Sequence, residues 1–170
     1  MIFLNSNKKK LDNIYNKIAE QSKQSFYFDK NLNSNVNFFI EFFQTNLILI
    51  LWYIKFKNME KKYTDYLVKK FIKDLEDSVI ELGVSETSLR KKIRVIIENF
   101  YGRLYSYSKL FDSLVNKNEK KYLKKTLKKN FNFSTNINLL EKYVESNFNY
   151  LKELKENDFW DLKIFNSEIK

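Results

Sequence analysis

The fold is decided by residues 38–56, which read FFIEFFQTNLILILWYIKF and form the most apolar stretch of this 170-residue chain. At 19 residues, the stretch is close to the length that crosses a bilayer. Polar or charged residues interrupt it at Glu41, Gln44, Thr45, Asn46 and Lys55. A charge such as Glu41 would cost about 3 kcal/mol deep in lipid, and the longest uninterrupted apolar run covers only residues 47–54. The pattern predicts a helix buried at the centre of a bundle, with a membrane-inserting segment as the alternative.

Apolar residues recur at helical spacing through the rest of the chain as well. The pattern predicts helices over about residues 8–23, 36–57 and 60–82, followed by three more. The fourth is long and begins after an N-cap at Ser85, the fifth is short and follows Asn118, and the sixth begins near Asn136. Gly83 is the residue expected to end the third helix. We therefore expect an all-α, single-domain bundle of about six helices at residues 11–165, preceded by an N-terminal tail at residues 1–10.

The composition excludes the commonest catalytic and metal-binding sites. The chain has no His and no Cys, which rules out a His/Cys zinc site, a Cys nucleophile, a Ser-His-Asp triad and disulfides. Its two glycines, Gly83 and Gly102, cannot form a Gly-rich phosphate loop. Asp74, Asp77 and Glu81 fall on one helix face beside lysines, which is an ordinary solvated arrangement rather than a carboxylate-based active site. We expect no enzyme, no cofactor and no bound metal.

The positive charge is concentrated in one quarter of the chain. The whole sequence has 31 Lys+Arg against 21 Asp+Glu, and residues 87–129 have 13 basic and 3 acidic residues, so this segment holds the entire net charge of +10. We expect an exposed basic surface formed by Lys117, Lys120, Lys121, Lys124, Lys125, Lys128 and Lys129. Phospholipid headgroups, ribosomal RNA or an acidic protein would bind such a surface. The alternative is a solvated face enriched by composition.

Gly102 lies inside the predicted fourth helix, where glycine costs about 1 kcal/mol relative to alanine. We interpret it as a point of close approach, at which a second helix or a ligand backbone comes nearer than even an alanine would allow. The adjacent Arg103 is one of only three arginines, and its guanidinium can stack on aromatic rings while it reaches a carboxylate. We expect for it either an internal ion pair, with Asp77 or Glu81, or a partner-binding site.

Several of these residues occur in an order and spacing that are typical of a known protein family. A Gly-Val turn in residues 82–86 (LGVSE) is followed by a basic helix start at residues 90–94 (RKKIR) and by the element FYGR at residues 100–103, with Tyr105 and Tyr107 after it. In this order and spacing the chain resembles the ubiquinol–cytochrome c chaperone family. Flanking motifs extend the resemblance over about residues 11–165.

The resemblance implies an assembly factor without catalytic activity. Such a factor holds newly made cytochrome b until haem and partner subunits complete the quinol–cytochrome c oxidoreductase (bc1) complex. On this interpretation the residues that bind the partner are Gly83, Val84, Arg90, Arg94, Phe100, Tyr101, Gly102, Arg103, Tyr105 and Tyr107.

The expected partners are nascent cytochrome b and, through the basic surface, the ribosome or an anionic membrane. Few arginines and no helix-turn-helix spacing argue against sequence-specific DNA binding. The N-terminal sequence has no signal-like apolar stretch, so we expect a cytoplasmic protein peripherally associated with the inner membrane. The alternative function is that of a small basic RNA- or ribosome-binding protein.

Overall fold

The computed structural model describes residues 2–23, 36–81, 86–117, 121–131 and 136–166. Within these ranges the chain forms α1 (Ile2–Ser22), α2 (Val36–Phe56), α3 (Lys61–Glu81), α4 (Glu86–Lys117), α5 (Lys121–Asn130), α6 (Ile137–Glu153) and α7 (Glu156–Trp160). None of the described residues lies in a strand. The predicted all-α, single-domain bundle is confirmed.

The helix boundaries follow the sequence pattern, with two differences. α1 begins at Ile2 rather than near residue 8, and residues 2–7 contain no Gly or Pro that would prevent it. α7 is an additional helix of five residues, too short for apolar periodicity to register. α6 begins as expected, because the Asn136 side chain accepts a hydrogen bond from the Leu139 backbone N–H at 3.2 Å. The predicted signals at Gly83, Ser85 and Asn118 lie outside the described residues, and the tail and domain boundaries stay a prediction.

α2 occupies the centre of the bundle and packs against α1, α3, α4 and α6. Every residue from 47 to 54 is buried. The Trp52 ring lies 4.8 Å from the Phe148 ring of α6 and meets the Phe111 ring of α4 edge-on at 5.7 Å. Within the described residues, only Phe38–Phe56 is long and apolar enough to cross a membrane, and 78% of that window is buried inside the protein. This burial fits the predicted central helix of a bundle.

The polar residues that interrupt α2 link it to its neighbours. The Asn46 side-chain amide donates to the Ser22 hydroxyl of α1 at 3.1 Å, and its carbonyl oxygen accepts from the Tyr143 hydroxyl of α6 at 2.8 Å. Asn46, Ser22 and Tyr143 are all buried, where an unpaired polar group would be costly. These hydrogen bonds set the orientation of α2 relative to α1 and α6.

Candidate functional site

α4 divides the residues of the Phe-Tyr-Gly-Arg element between two opposite faces. Phe100 is fully buried, with its ring 5.0 Å from that of Phe71 on α3. Tyr107 is also fully buried. Tyr101 and Tyr105, by contrast, are exposed. A helix turns by about 100° per residue, so one continuous motif contributes both to the core and to the surface.

Arg103 points inward and joins three helices. Its Nη2 donates to Glu41 Oε1 of α2 at 2.8 Å, and its Nη1 donates to Gln44 Oε1 at 2.5 Å. A longer contact of 3.5 Å runs from Nη2 to the backbone carbonyl oxygen of Asn130, at the end of α5. The side chains of Arg103 and Glu41 are only 12% and 13% exposed. An internal ion pair therefore forms, and its location was not accessible from sequence spacing.

The predicted pairing of Arg103 with Asp77 was wrong. Asp77 instead pairs with Lys73, one turn away on the exposed face of α3, at 2.6 Å. The Glu81 side chain lies outside the described residues. Arg103 faces α2 rather than the outer side of α3, so the nearest carboxylate is Glu41, a residue that sequence analysis treated only as an interruption of the apolar stretch.

The cluster formed by Arg103, Glu41, Gln44 and Tyr107 is incompletely hydrogen-bonded. Glu41 Oε2, Gln44 Nε2 and the Tyr107 hydroxyl are buried without a hydrogen bond of good geometry to any described residue, although the Tyr107 hydroxyl lies close to Thr45 and Asn130. Burial raises the pKa of Glu41 above its ordinary value of 4.5, and the nearby Arg103 opposes the rise. This cluster, referred to below as the Arg103 cluster, adds a desolvation cost to the packing of α2 against α4.

Gly102 lies on the exposed face of α4 and not at a helix crossing. A Cβ atom built at this position would have no heavy atom of the described chain within 4 Å, and the backbone does not adopt a positive φ. The interpretation of Gly102 as a close approach between two helices of this chain was therefore wrong, because the glycine faces away from the bundle. Neither packing nor backbone conformation within the described residues requires a glycine here.

The outer face of α4, formed by Val95, Tyr101, Gly102 and Tyr105, exposes three large apolar side chains next to the exposed ion pair of Arg94 and Glu98. Among the described side chains, the large apolar residues with the greatest exposure are Tyr105 (64%), Val95 (52%) and Tyr101 (49%). The Lys109 ammonium lies 4.5 Å from the centre of the Tyr105 ring, a distance at which a cation is attracted to an aromatic face. Exposed apolar side chains grouped on one helix indicate an interaction surface.

A groove of about 630 Å³ opens beside this outer face, between α2, α3 and α4. Its apolar lining comes from Leu51 and Ile54 of α2, Val68 and Ile72 of α3, and Tyr101 and Leu104 of α4. Lys55, Asp65 and Lys69 contribute charged groups to the lining. Tyr101 belongs to both the groove and the outer face, so the two form one continuous surface. The groove could not be predicted from the sequence, because each helix contributes only a few of the lining residues.

The structure describes four of the seven lysines of the predicted basic surface. Lys125, Lys128 and Lys129 are exposed on α5, while Lys124 is partly covered and lies 3.9 Å from Glu141 of α6. Lys117 and Lys121 belong to α4 and α5, but their side chains lie outside the description, as does the whole of Lys120. Tyr122 is exposed beside these lysines.

Two of the remaining motif residues lie near the start of α4. Arg90 and Arg94 are both exposed, and Arg94 pairs with Glu98 one turn away at 2.8 Å. Gly83 and Val84 lie outside the described residues. Within the described part of the chain, no group of three or more acidic side chains is placed to hold a metal ion.

Comparison with known proteins assigns this fold and these motifs to a family. The sequence model of the ubiquinol-cytochrome C chaperones matches residues 29–164. The chain belongs to the ubiquinol-cytochrome C chaperone family. This confirms the resemblance read from residues 82–107. No protein with a curated function matches the chain.

A solved structure in the same fold is that of the Cbp3 homologue from Brucella abortus. It superimposes with a TM-score of 0.73, covers 99% of this chain and 98% of its own, and is 20% identical in sequence. At that identity, the similarity establishes the fold over nearly the whole length of both chains.

Proposed function

We propose that this protein is a non-catalytic assembly chaperone that binds newly made cytochrome b, its client, and promotes assembly of the bc1 complex. Family membership supplies the class of function. The observation that carries the proposal further is the apolar groove together with the exposed Tyr101 and Tyr105 beside it. A protein that folds around a complete core has no internal need for such a surface.

The chemistry of this surface suits an apolar client. Leucine, isoleucine, valine and tyrosine side chains line it, and burying apolar area there is worth about 25 cal/mol per Å². Lys55, Asp65 and Lys69 supply polar contacts that orient a bound segment. A newly made membrane protein exposes apolar segments before it is assembled, and covering them prevents aggregation. On this proposal Tyr101 and Tyr105 contact the client directly.

The buried motif residues support this surface from beneath. Phe100 and Tyr107 pack in the core on the inner side of α4, and Arg103 ties α4 to α2, which forms one wall of the groove. We assign these three residues to positioning α4 rather than to direct contact. Arg90 and Arg94 remain candidates for contact at the start of the helix, and Gly83 and Val84 for the turn before it.

The basic surface on α5 gives the protein a means of association with an anionic partner. Lys125, Lys128 and Lys129 are exposed on a short helix whose opposite side is buried at Leu123 and Leu127. We propose that it holds the chaperone peripherally at the inner membrane, where the client is inserted. The same lysines favour the second candidate function, a small RNA- or ribosome-binding protein, because both ligands present phosphates.

Deletion of the gene tests the proposal in the native cell. We expect less assembled bc1 complex and a weaker b-type haem signal in difference spectra, while other respiratory complexes stay near normal. Complementation with the parent gene should restore the signal, and a Tyr101→Ser/Tyr105→Ser variant should restore it poorly. An unchanged cytochrome b signal in the deletion strain would show that the client is not cytochrome b.

A further inference from the structure

The Arg103 cluster contains three buried polar atoms that have no hydrogen bond of good geometry to any described residue: Glu41 Oε2, Gln44 Nε2 and the Tyr107 hydroxyl. Gln44 and Tyr107 are completely buried, and the Glu41 side chain is only 13% exposed. Folded proteins rarely leave such groups unpaired, because each one loses its hydrogen bonds to solvent without a replacement. Three of them in one cluster therefore indicate a partner from outside the described chain.

Arg103 holds two of these groups together. Its Nη2 donates to Glu41 Oε1 at 2.8 Å and its Nη1 donates to Gln44 Oε1 at 2.5 Å, so both side chains end at one planar guanidinium. A guanidinium nitrogen can only donate, which fixes the Gln44 amide with its oxygen toward Arg103 and its NH2 group away from it. Tyr107 follows Arg103 by one turn of α4, and its hydroxyl is close enough to interact with the charges of both Arg103 and Glu41.

The side chains nearest to the Tyr107 hydroxyl donate to other groups. The hydroxyl lies close to Thr45 and Asn130. Thr45 donates its only hydroxyl proton to the backbone carbonyl oxygen of Glu41 at 2.9 Å, and the Asn130 amide donates to the backbone carbonyl oxygen of Thr126 at 3.0 Å. A buried tyrosine hydroxyl normally has a hydrogen-bond partner, so this one has room for a further ligand.

We infer that the Arg103 cluster is a binding site for one internal water molecule, which donates to Glu41 Oε2 and accepts from Gln44 Nε2 and the Tyr107 hydroxyl. Buried water molecules typically make about three hydrogen bonds to polar groups that the protein leaves unpaired. The water completes the contact of α2 with α4. The inference does not depend on which client the protein binds.

The chemistry of the three groups selects water over other ligands. An anion would be repelled by the Glu41 carboxylate, and a cation would be repelled by Arg103 and would face the N–H groups of Gln44. The ligand must therefore be neutral and must both donate and accept. It must also be small, because none of the three atoms is accessible from the surface. Water meets all of these requirements.

A crystal structure of the full-length protein tests the inference. We expect an ordered water molecule within about 3.2 Å of all three atoms. In solution, the side-chain amide protons of Gln44 should show an NOE to water with the sign of a long-lived bound molecule rather than of proton exchange. A site without a water, or one in which the three groups bond protein groups directly, would overturn the inference.

Matched substitutions identify the groups that hold the water. Tyr107→Phe/Gln44→Met leaves only one of the three partners, so the water should be lost from the crystal structure of this variant. Tyr143→Phe is the control, because the Tyr143 hydroxyl already donates to Asn46 at 2.8 Å and accepts from Gln21 at 3.1 Å, and this variant should keep the water.

Tyr107→Phe alone provides a second test in case the double variant does not fold. Its Gln44 amide protons should lose most of the NOE to water, whereas Tyr143→Phe should retain the NOE of the parent. A folded Tyr107→Phe variant with an undiminished NOE and a water in the same place would overturn the assignment of the site.

Discussion

Arg94 and Arg103 lie on the same helix and each bonds a glutamate at 2.8 Å, but their surroundings differ. In the Arg94–Glu98 pair the two side chains are 79% and 60% exposed. In the Arg103–Glu41 pair they are only 12% and 13% exposed. Exposed pairs gain little because water competes for both ions. Buried pairs are costly to form but far more costly to break, because the remaining ion stays in the interior without a partner.

Replacement of each arginine by methionine should separate the two cases. We expect Arg103→Met to lower the free energy of unfolding by about 3 kcal/mol or more, since Glu41 is left buried and unpaired. Arg94→Met should leave it nearly unchanged, because both ions of that pair are solvated. Chemical denaturation of both variants measures the difference. Equal effects would contradict the buried pair, and a Glu41→Leu/Arg103→Leu double variant should recover part of the loss.

The Arg103 cluster should also make stability depend on pH. Burial raises the pKa of Glu41 above 4.5, so the folded state binds a proton there more readily than the unfolded state does. Stability from this group is therefore present below its unfolded pKa and is lost as pH rises through the folded pKa. Relative to Glu41→Gln, which cannot titrate, the parent should gain stability as pH falls to about 4.5. Denaturation curves from pH 7 to pH 4 check the sign, and the opposite slope would place the folded pKa below the unfolded one.

At the scale of single elements, α5 is a helix of ten residues with one buried and one exposed side. Leu123 and Leu127 are buried and anchor it, while Lys125, Lys128 and Lys129 face solvent. Its last residue, Asn130, accepts the longest hydrogen bond of Arg103 through its backbone carbonyl. The Arg103 cluster thus contacts the end of the helix that carries the basic surface.

Charge reversal on α5 should abolish weak association with anionic surfaces. Each lysine near an anionic membrane contributes about 1 kcal/mol, so Lys125/Lys128/Lys129→Glu should no longer float with anionic liposomes. Lys8/Lys9/Lys155→Glu, which makes the same change of net charge at exposed sites elsewhere, should still float.

Neutral liposomes and ribosome sedimentation, each at low and high salt, complete the comparison. Loss of ribosome binding alone would favour the RNA-binding candidate over membrane association. Binding by the α5 variant as strong as that of the parent would leave the lysines as a solvated face.

At the scale of the whole molecule, two surfaces of different chemistry lie on one bundle. The groove and the exposed Tyr101 and Tyr105 of α4 offer apolar contacts, and the basic surface is cationic. Lysine–phosphate contacts release counterions and weaken steeply with salt, whereas apolar contacts do not. The two surfaces can therefore be examined separately in the intact protein.

Salt should accordingly dissociate the protein from membranes before it dissociates the client. On raising salt from 50 to 500 mM, we expect loss of association with anionic vesicles and retention of cytochrome b in pull-downs from solubilised membranes. At 50 mM salt, Tyr101→Ser/Tyr105→Ser should bind anionic vesicles as the parent does but retain little cytochrome b. Release of cytochrome b and vesicles at the same salt concentration would place both contacts on the basic surface.

The sequence by itself determined the helical class, the central position of α2 and the absence of His/Cys chemistry. Each of these depends on composition or on periodicity within one segment, and an unbroken apolar run of only residues 47–54 is too short to cross a bilayer and favours the interior of a bundle. The order of residues 82–107 was also sufficient to indicate the family, because a motif is a local property of the chain.

Only the tertiary structure decided the partner of Arg103, the exposure of Gly102 and the groove beside Tyr101. Periodicity predicts which residues share a helix face but not which neighbouring helix that face meets, since crossing geometry depends on the side chains of both elements. Glu41 and Arg103 are separated by 62 positions in sequence, and no local pattern relates them. Gly102 has the same local sequence whether its face is buried or open, and the packing of α2 and α3 against the opposite side of α4 is what left it exposed.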